Sequence, residues 1–194
     1  MSYILPPANQ LSTLPRSQLI EVFNHLFEPC PTLTSLLISK IFNGDRTYSS
    51  YPEMIEACRE ELTQFLGLAE LEAYNSGTAI NPDISKIIAA HPRLGRSAPN
   101  KSEKLSTHSS EEQKSLQGSE EEARRLTELN EQYETTFPGL RYVVFVNGRP
   151  RSDIMQNMKE RINRNKISLE RRDSFNAMCD IALDRAKKLN STKL

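Results

Sequence analysis

From Ser17 to Glu28 the apolar residues Leu19, Ile20, Phe23, Leu26 and Phe27 return every three or four positions, the spacing that puts them on one face of a helix. Pro29 and Pro31 end that helix, and Thr32 stands where it can cap a second, with the stripe Leu33, Leu36, Leu37, Ile41 and Phe42. Ser50 and Glu53 form a capping-box pattern with Pro52 in the first turn, which predicts a third helix lined by Met54, Ile55, Cys58, Leu62, Phe65 and Leu66. The periodicity then fades, so 67–82 reads as an irregular surface insertion with a short helical piece around Leu68 to Tyr74. Asn81 and Pro82 start another helix, with Ile84, Ile87 and Ile88 as its apolar stripe. Pro92 disfavours the α conformation at the residue before it, so this helix should stop at His91 and leave the imidazole at its exposed end.

A loop rich in Ser, Lys, Asn and Pro follows. Ser109 with Glu112 repeats the capping-box pattern, and the charged stretch from Ser109 to Phe137 is helix-prone, with a break near Gly118-Ser119. Ser119 with Glu122 restarts it, and Glu120, Glu121 and Glu122 fall in the first turn, where the helix dipole favours anions. Leu126, Leu129, Tyr133 and Phe137 form its buried face. Leu140 to Val146 is the only β-like run in the chain. With no second strand to pair with, its backbone groups need other partners. Asn147-Gly148 reads as a turn, and Pro150 prevents a continuing strand. Ser152 is placed to cap a helix carrying Ile154, Met155, Met158 and Ile162. A last helix from about Ser168 turns Phe175, Met178, Ile181, Ala182 and Leu189 inwards. The expectation is an all-α, single-domain bundle over 1–194, with roughly eight helices, one extended segment and no internal repeat.

Composition narrows the partners. The 194 residues carry a formal net charge of zero, so nothing points to nucleic acid or a membrane surface. Cys30, Cys58 and Cys179 are odd in number, widely spaced and without metal-ligand spacing, which suits buried thiols in a reducing compartment. No segment has the length of a membrane span, and the N-terminus lacks a signal pattern. The chain ends Thr192-Lys193-Leu194, one residue away from a Ser-Lys-Leu peroxisomal address, so the expected location is peroxisomal or cytoplasmic.

The candidate chemistry lies between His91 and Gln113. A helix starting at Ser109 would offer free N–H groups, a hydroxyl, the Glu112 carboxylate and the Gln113 amide to a facing imidazole, which makes an acid/base and polar-recognition site. Taken singly, a His before a Pro is a helix cap, and so is a Ser-x-x-Glu pattern. His108, four residues before Glu112, could form a metal pair with it only inside the helix. Ser109 as cap puts His108 outside, and no third ligand is evident, so no metal is expected. His25 reads as a surface or partly buried residue on the first helix.

These residues resemble the OHCU (2-oxo-4-hydroxy-4-carboxy-5-ureidoimidazoline) decarboxylase family of urate breakdown. The resemblance rests on His91-Pro92-Arg93-Leu94, then Ser109-x-x-Glu112-Gln113, then Leu129-Asn130-x-x-Tyr133-x-x-x-Phe137, then the apolar run before Gly148-Arg149, in that order over nearly the whole chain. It implies a carbon–carbon lyase that converts a small-molecule substrate to (S)-allantoin and CO2 without a metal, pyridoxal or thiamine cofactor, since the substrate ring is its own electron sink. It also implies a homodimer. By the same resemblance His91 moves the proton and Glu112 orients it while holding the substrate. Ser109 and Gln113 bind ring and ureido atoms, Pro92 gives an apolar wall, and the main chain of Tyr142, Val143, Val144, Phe145 and Val146 lines the pocket. Arg185 holds an anionic or carbonyl oxygen. Arg161 also falls on a family position, and a structural, helix-pairing role is expected for it. Two places depart from the family pattern: Glu28-Pro29-Cys30-Pro31 stands where Glu-His-Ser-Pro is usual, and Asp184-Arg185-Ala186 where Leu-Arg-Leu is usual. The competing expectation is a helical interaction domain that keeps the fold and has lost activity. The intact His91 and Glu112 argue against it, and the altered Glu28–Pro31 junction leaves it open.

Overall fold

The computed structural model describes residues 3–44, 46–95, 108 and 119–191. Over these the chain forms a short 3-10 helix, Ala8–Thr13, and seven α-helices: α1 (Arg16–Leu26), α2 (Pro31–Ile41), α3 (Tyr51–Ser76), α4 (Pro82–Ala89), α5 (Glu120–Thr136), α6 (Arg151–Arg164) and α7 (Ile167–Ser191). No strand occurs among the described residues, and no described helix is long and apolar enough to cross a membrane.

The long helices α3 and α7 make the most extensive pairing. On this pair rest α1, α2 and α4, while α5 and α6 pack against each other. The stripes read from the sequence are the faces that meet: Phe23 and Leu26, Leu33 and Leu37, Met54 and Leu62, Ile84 and Ile88, Leu126 and Tyr133, Ile154 and Met158, Met178 and Ala182 are all buried in one core. All three cysteines are free and buried. Burial pushes the thiols of Cys58 and Cys179 up, so neither is a ready nucleophile.

The helix starts follow from local chemistry, with three corrections. Ser119 and Glu122 close a complete capping box, and the Asn81 side chain accepts from the Asp83 N–H at 2.9 Å with Pro82 as first helical residue. Ser50 caps α3 through the Glu53 N–H, while the Glu53 carboxylate reaches back to the N–H and hydroxyl of Ser49. Thr32, however, lies inside α2. Pro31, preset to helical φ, starts that helix one residue earlier, with Cys30 extended before it. Likewise Ser152 lies inside α6, which begins at Arg151 after Pro150, and its hydroxyl turns to Asp153.

The third correction concerns 67–82. Instead of breaking at Gly67, α3 continues to Ser76, and only Gly77 to Asn81 is irregular. A glycine inside a helix costs roughly 0.5–1 kcal/mol relative to alanine. Burial of Leu66 and Ala69 on either side outweighs this, and Arg171 and Arg172 of α7 reach Glu70. The continuation does stand at the surface, with Leu68, Leu71 and Tyr74 exposed.

Leu140 to Val146 is extended, and arginines take the place of a second strand. Arg161 Nη1 donates to the Val143 carbonyl at 2.9 Å. Arg149 donates from its side chain to the carbonyls of Phe145 and Val146, and from its backbone to Val146. Asn147 and Gly148, both in the left-handed region, then turn the chain towards α6.

Candidate active site

His91 lies just past α4, its N–H bonded to the Ile88 carbonyl at 3.3 Å. The helix stops where Pro92 requires it to, but the imidazole is not exposed: the residue retains 6 % of its accessible surface. Exposure at a helix end depends on what packs there. α4 rests on both α2 and α7, and the side chains of Glu28 and Arg185 occupy the same interior.

Glu28, in the junction between α1 and α2, and Arg185, on α7, form a buried ion pair at 2.8 Å. Both act on His91. Burial is the largest influence and pushes the imidazole down to about 4; Glu28 acts against this and Arg185 with it. At neutral pH His91 is therefore an uncharged imidazole. Its Nε2 is buried and meets no hydrogen-bond partner among the described residues.

The turn after His91 is clamped onto α5. Arg93 makes a two-pronged pair with Glu134, at 2.7 and 2.5 Å. Asn130 donates to the Leu94 carbonyl at 3.1 Å and to the Leu126 carbonyl at 2.9 Å. Gly95 has φ +75°, and a Cβ there would sit 2.2 Å from Leu126 Cδ2. The residues Leu94, Gly95 and Asn130 thus fix where His91 can stand. Tyr133, from the same motif, donates to the buried Glu170 at 2.7 Å.

From the other side comes the extended segment. Arg141 Nη1 donates to the His91 carbonyl at 3.1 Å, so the segment starts against the end of α4. Beyond it, Tyr142 is buried, its hydroxyl 2.6 Å from Asn157 Oδ1 and its ring under the Arg161 guanidinium. Val143, Val144 and Phe145 line an open cleft of about 640 Å3 together with residues of α6 and α7. None of Glu28, His91 or Arg185 lines that cleft. Its arginines are already engaged: Arg161 and Arg164 pair with Glu170, and Arg149 holds backbone carbonyls. The cleft is open, and His91 lies outside it.

Arg161 has the structural role expected of it, joining α5, α6, α7 and the extended segment through Tyr133, Glu170 and Val143. His25 is partly buried, with Tyr3 stacked on its ring and His108 Nε2 3.2 Å from its Nδ1. His108 is already helical, which corrects its placement outside a helix capped by Ser109. Among the described residues no group of three His, Cys, Asp or Glu side chains is placed to hold a metal ion. Ser109, Glu112 and Gln113 lie outside the described residues. Glu28 is the residue sequence reasoning passed over. Its signal was a lone carboxylate inside the otherwise apolar run from Leu26 to Cys30.

A model of the OHCU decarboxylase family matches residues 12–187, a span that includes Glu28, His91, the extended segment and Arg185. The chain belongs to this family. No curated protein matches it. As an OHCU decarboxylase it is a carboxy-lyase of urate degradation, and it acts on a small molecule. The family's order of motifs has a physical basis in this chain: the His-Pro turn is locked by the Asn130–Tyr133 helix, and the apolar run passes beside it.

Proposed function

We propose that the enzyme converts 2-oxo-4-hydroxy-4-carboxy-5-ureidoimidazoline to (S)-allantoin and CO2, with His91 carrying the proton and no metal or organic cofactor. The observation that carries this reading is the buried, uncharged imidazole of His91 beside the Glu28–Arg185 pair. Loss of CO2 leaves carbanion character on the ring, which the neighbouring imine or carbonyl delocalises, so the substrate is its own electron sink. What the protein must supply is orientation and one proton on one face. A neutral imidazole begins as a base; it takes a proton from the bound substrate and returns it to carbon after CO2 has left.

In this reading Glu112 holds the substrate hydroxyl or ring N–H and orients His91, Ser109 and Gln113 bind ring and ureido atoms, and Pro92 forms an apolar wall. Arg185 holds an anionic or carbonyl oxygen. The main chain of Tyr142 to Val146 completes the pocket. Because the carbonyls of Val143, Phe145 and Val146 already accept from arginines, the segment's N–H groups and the carbonyls of Tyr142 and Val144 fall to the substrate. On family grounds the working form is a homodimer, and Thr192-Lys193-Leu194 is a peroxisomal address; without it the enzyme is cytoplasmic. Those three residues lie outside the described ones.

The test supplies freshly generated urate-oxidation products and follows optical rotation. A rapid single-enantiomer signal, unchanged by exhaustive chelation, is expected. Racemic allantoin formed at the spontaneous rate would leave the protein a helical domain without the activity, and activity restored by zinc after chelation would put a metal in the mechanism.

A further inference from the structure

Glu28 has no part in the site as read from the sequence, yet it shares one interior with the two residues that do. It comes from the α1–α2 junction, His91 from the end of α4 and Arg185 from α7, and all three are buried. A buried ion pair is weak evidence for stability, because apolar replacements of similar volume are often as stable. Its effect on a neighbour can be large. An arginine alone beside a buried imidazole would oppose every proton that imidazole takes up.

We propose that Glu28 is a positioning residue for the decarboxylation: it holds the Arg185 guanidinium in place and supplies the negative charge against which His91 accepts its proton. This rests on the reading of His91 as proton carrier. Among the described residues, the charged groups around His91 come from three elements, and Glu112, which the proposed site also places there, lies outside them. Glu28 favours the imidazolium and Arg185 opposes it, while Arg141, from the extended segment, contacts the His91 carbonyl. With Glu28 neutral, Arg185 loses the charge that offsets it, and His91 becomes a weaker base without any change in its own packing.

The test follows the imidazole signals of the three histidines by NMR, with His91 assigned through its loss in His91→Asn. In Arg185→Gln the opposing charge is gone and Glu28 remains, so His91 should titrate higher by about one unit or more. In Glu28→Gln/Arg185→Gln that gain should disappear. If the single and double variants titrate alike, Glu28 does not reach His91 and the proposal fails. A second arm needs no arginine variant. Glu28→Gln should lower kcat roughly tenfold or more with KM little changed, and Glu28→Asp, which keeps the charge, should recover most of it, as expected for a group acting through a general base. A purely structural role would lower the folded fraction of both alike and leave kcat per folded molecule untouched, which also overturns the proposal. The titration does not depend on turnover. A normal Glu28–His91 coupling with full activity in His91→Asn would therefore sink the reading of His91 and leave the electrostatic finding standing.

Discussion

Arg161 Nε donates to the Glu170 carboxylate at 2.7 Å, with both side chains almost wholly inside the protein. The same carboxylate accepts from the Tyr133 hydroxyl, and the same guanidinium holds the Val143 carbonyl. Four elements meet at this pair. Removing one partner leaves a buried charge uncompensated, so Glu170→Ala or Arg161→Ala should lose about 3–5 kcal/mol of stability in urea denaturation. Replacing both with apolar side chains should recover much of that, and a double-variant loss equal to the sum of the two single losses would argue against a paired role.

The turn after His91 gives a sharper steric test. Gly95→Ala places a methyl group 2.2 Å from Leu126 Cδ2 in a left-handed backbone. Overpacking costs typically 1–3 kcal/mol, and the backbone adds about 1 more. Gly77→Ala has similar φ, +66°, but meets nothing within 4 Å, so about 1 kcal/mol is expected. Thermal melts of the two variants should differ clearly; equal shifts would mean that Leu126 moves aside.

Buried His91 also makes folding depend on pH. The unfolded chain takes up this proton near pH 6.5 and the folded chain near 4. Between those values the unfolded state binds more protons, so stability rises with pH and falls as pH drops from 6.5 towards 4. The loss attributable to His91 is about 3 kcal/mol, from the separation of the two values. Urea midpoints across this range should slope for the wild type and flatten for His91→Asn. Parallel slopes would place the imidazole in water.

The address at Thr192-Lys193-Leu194 must protrude to be read. Deleting those residues from a fluorescent fusion should change puncta into diffuse fluorescence. An intact fusion that is already diffuse would remove the peroxisomal reading.

Most of the helical frame was legible because helices announce themselves locally. The stripes Leu19–Phe23–Leu26 and Ile84–Ile87–Ile88 need only their own periodicity, and Ser119 with Glu122 needs only its own turn. The site was less legible because it is made between elements. Pro92 marks where α4 ends, but α2 and α7 decide that His91 is buried there. Glu28 and Arg185 are 157 positions apart, a separation at which no local pattern pairs a carboxylate with a guanidinium. Gly67 misled for the opposite reason: a local helix breaker was overridden by the packing of Leu66 and Ala69.

The central claim is that His91 carries the proton, and His91→Asn tests it most directly. Asparagine keeps polar side-chain shape and removes the titrating group. General acid–base catalysis typically contributes about 100- to 10,000-fold, so kcat on the freshly generated intermediate should fall by about that factor. Allantoin affinity by calorimetry should stay within about tenfold, since one neutral hydrogen bond is worth roughly 0.5–1.5 kcal/mol. The account predicts slow turnover by a folded variant that still binds. Near-normal turnover that still gives a single enantiomer would contradict it.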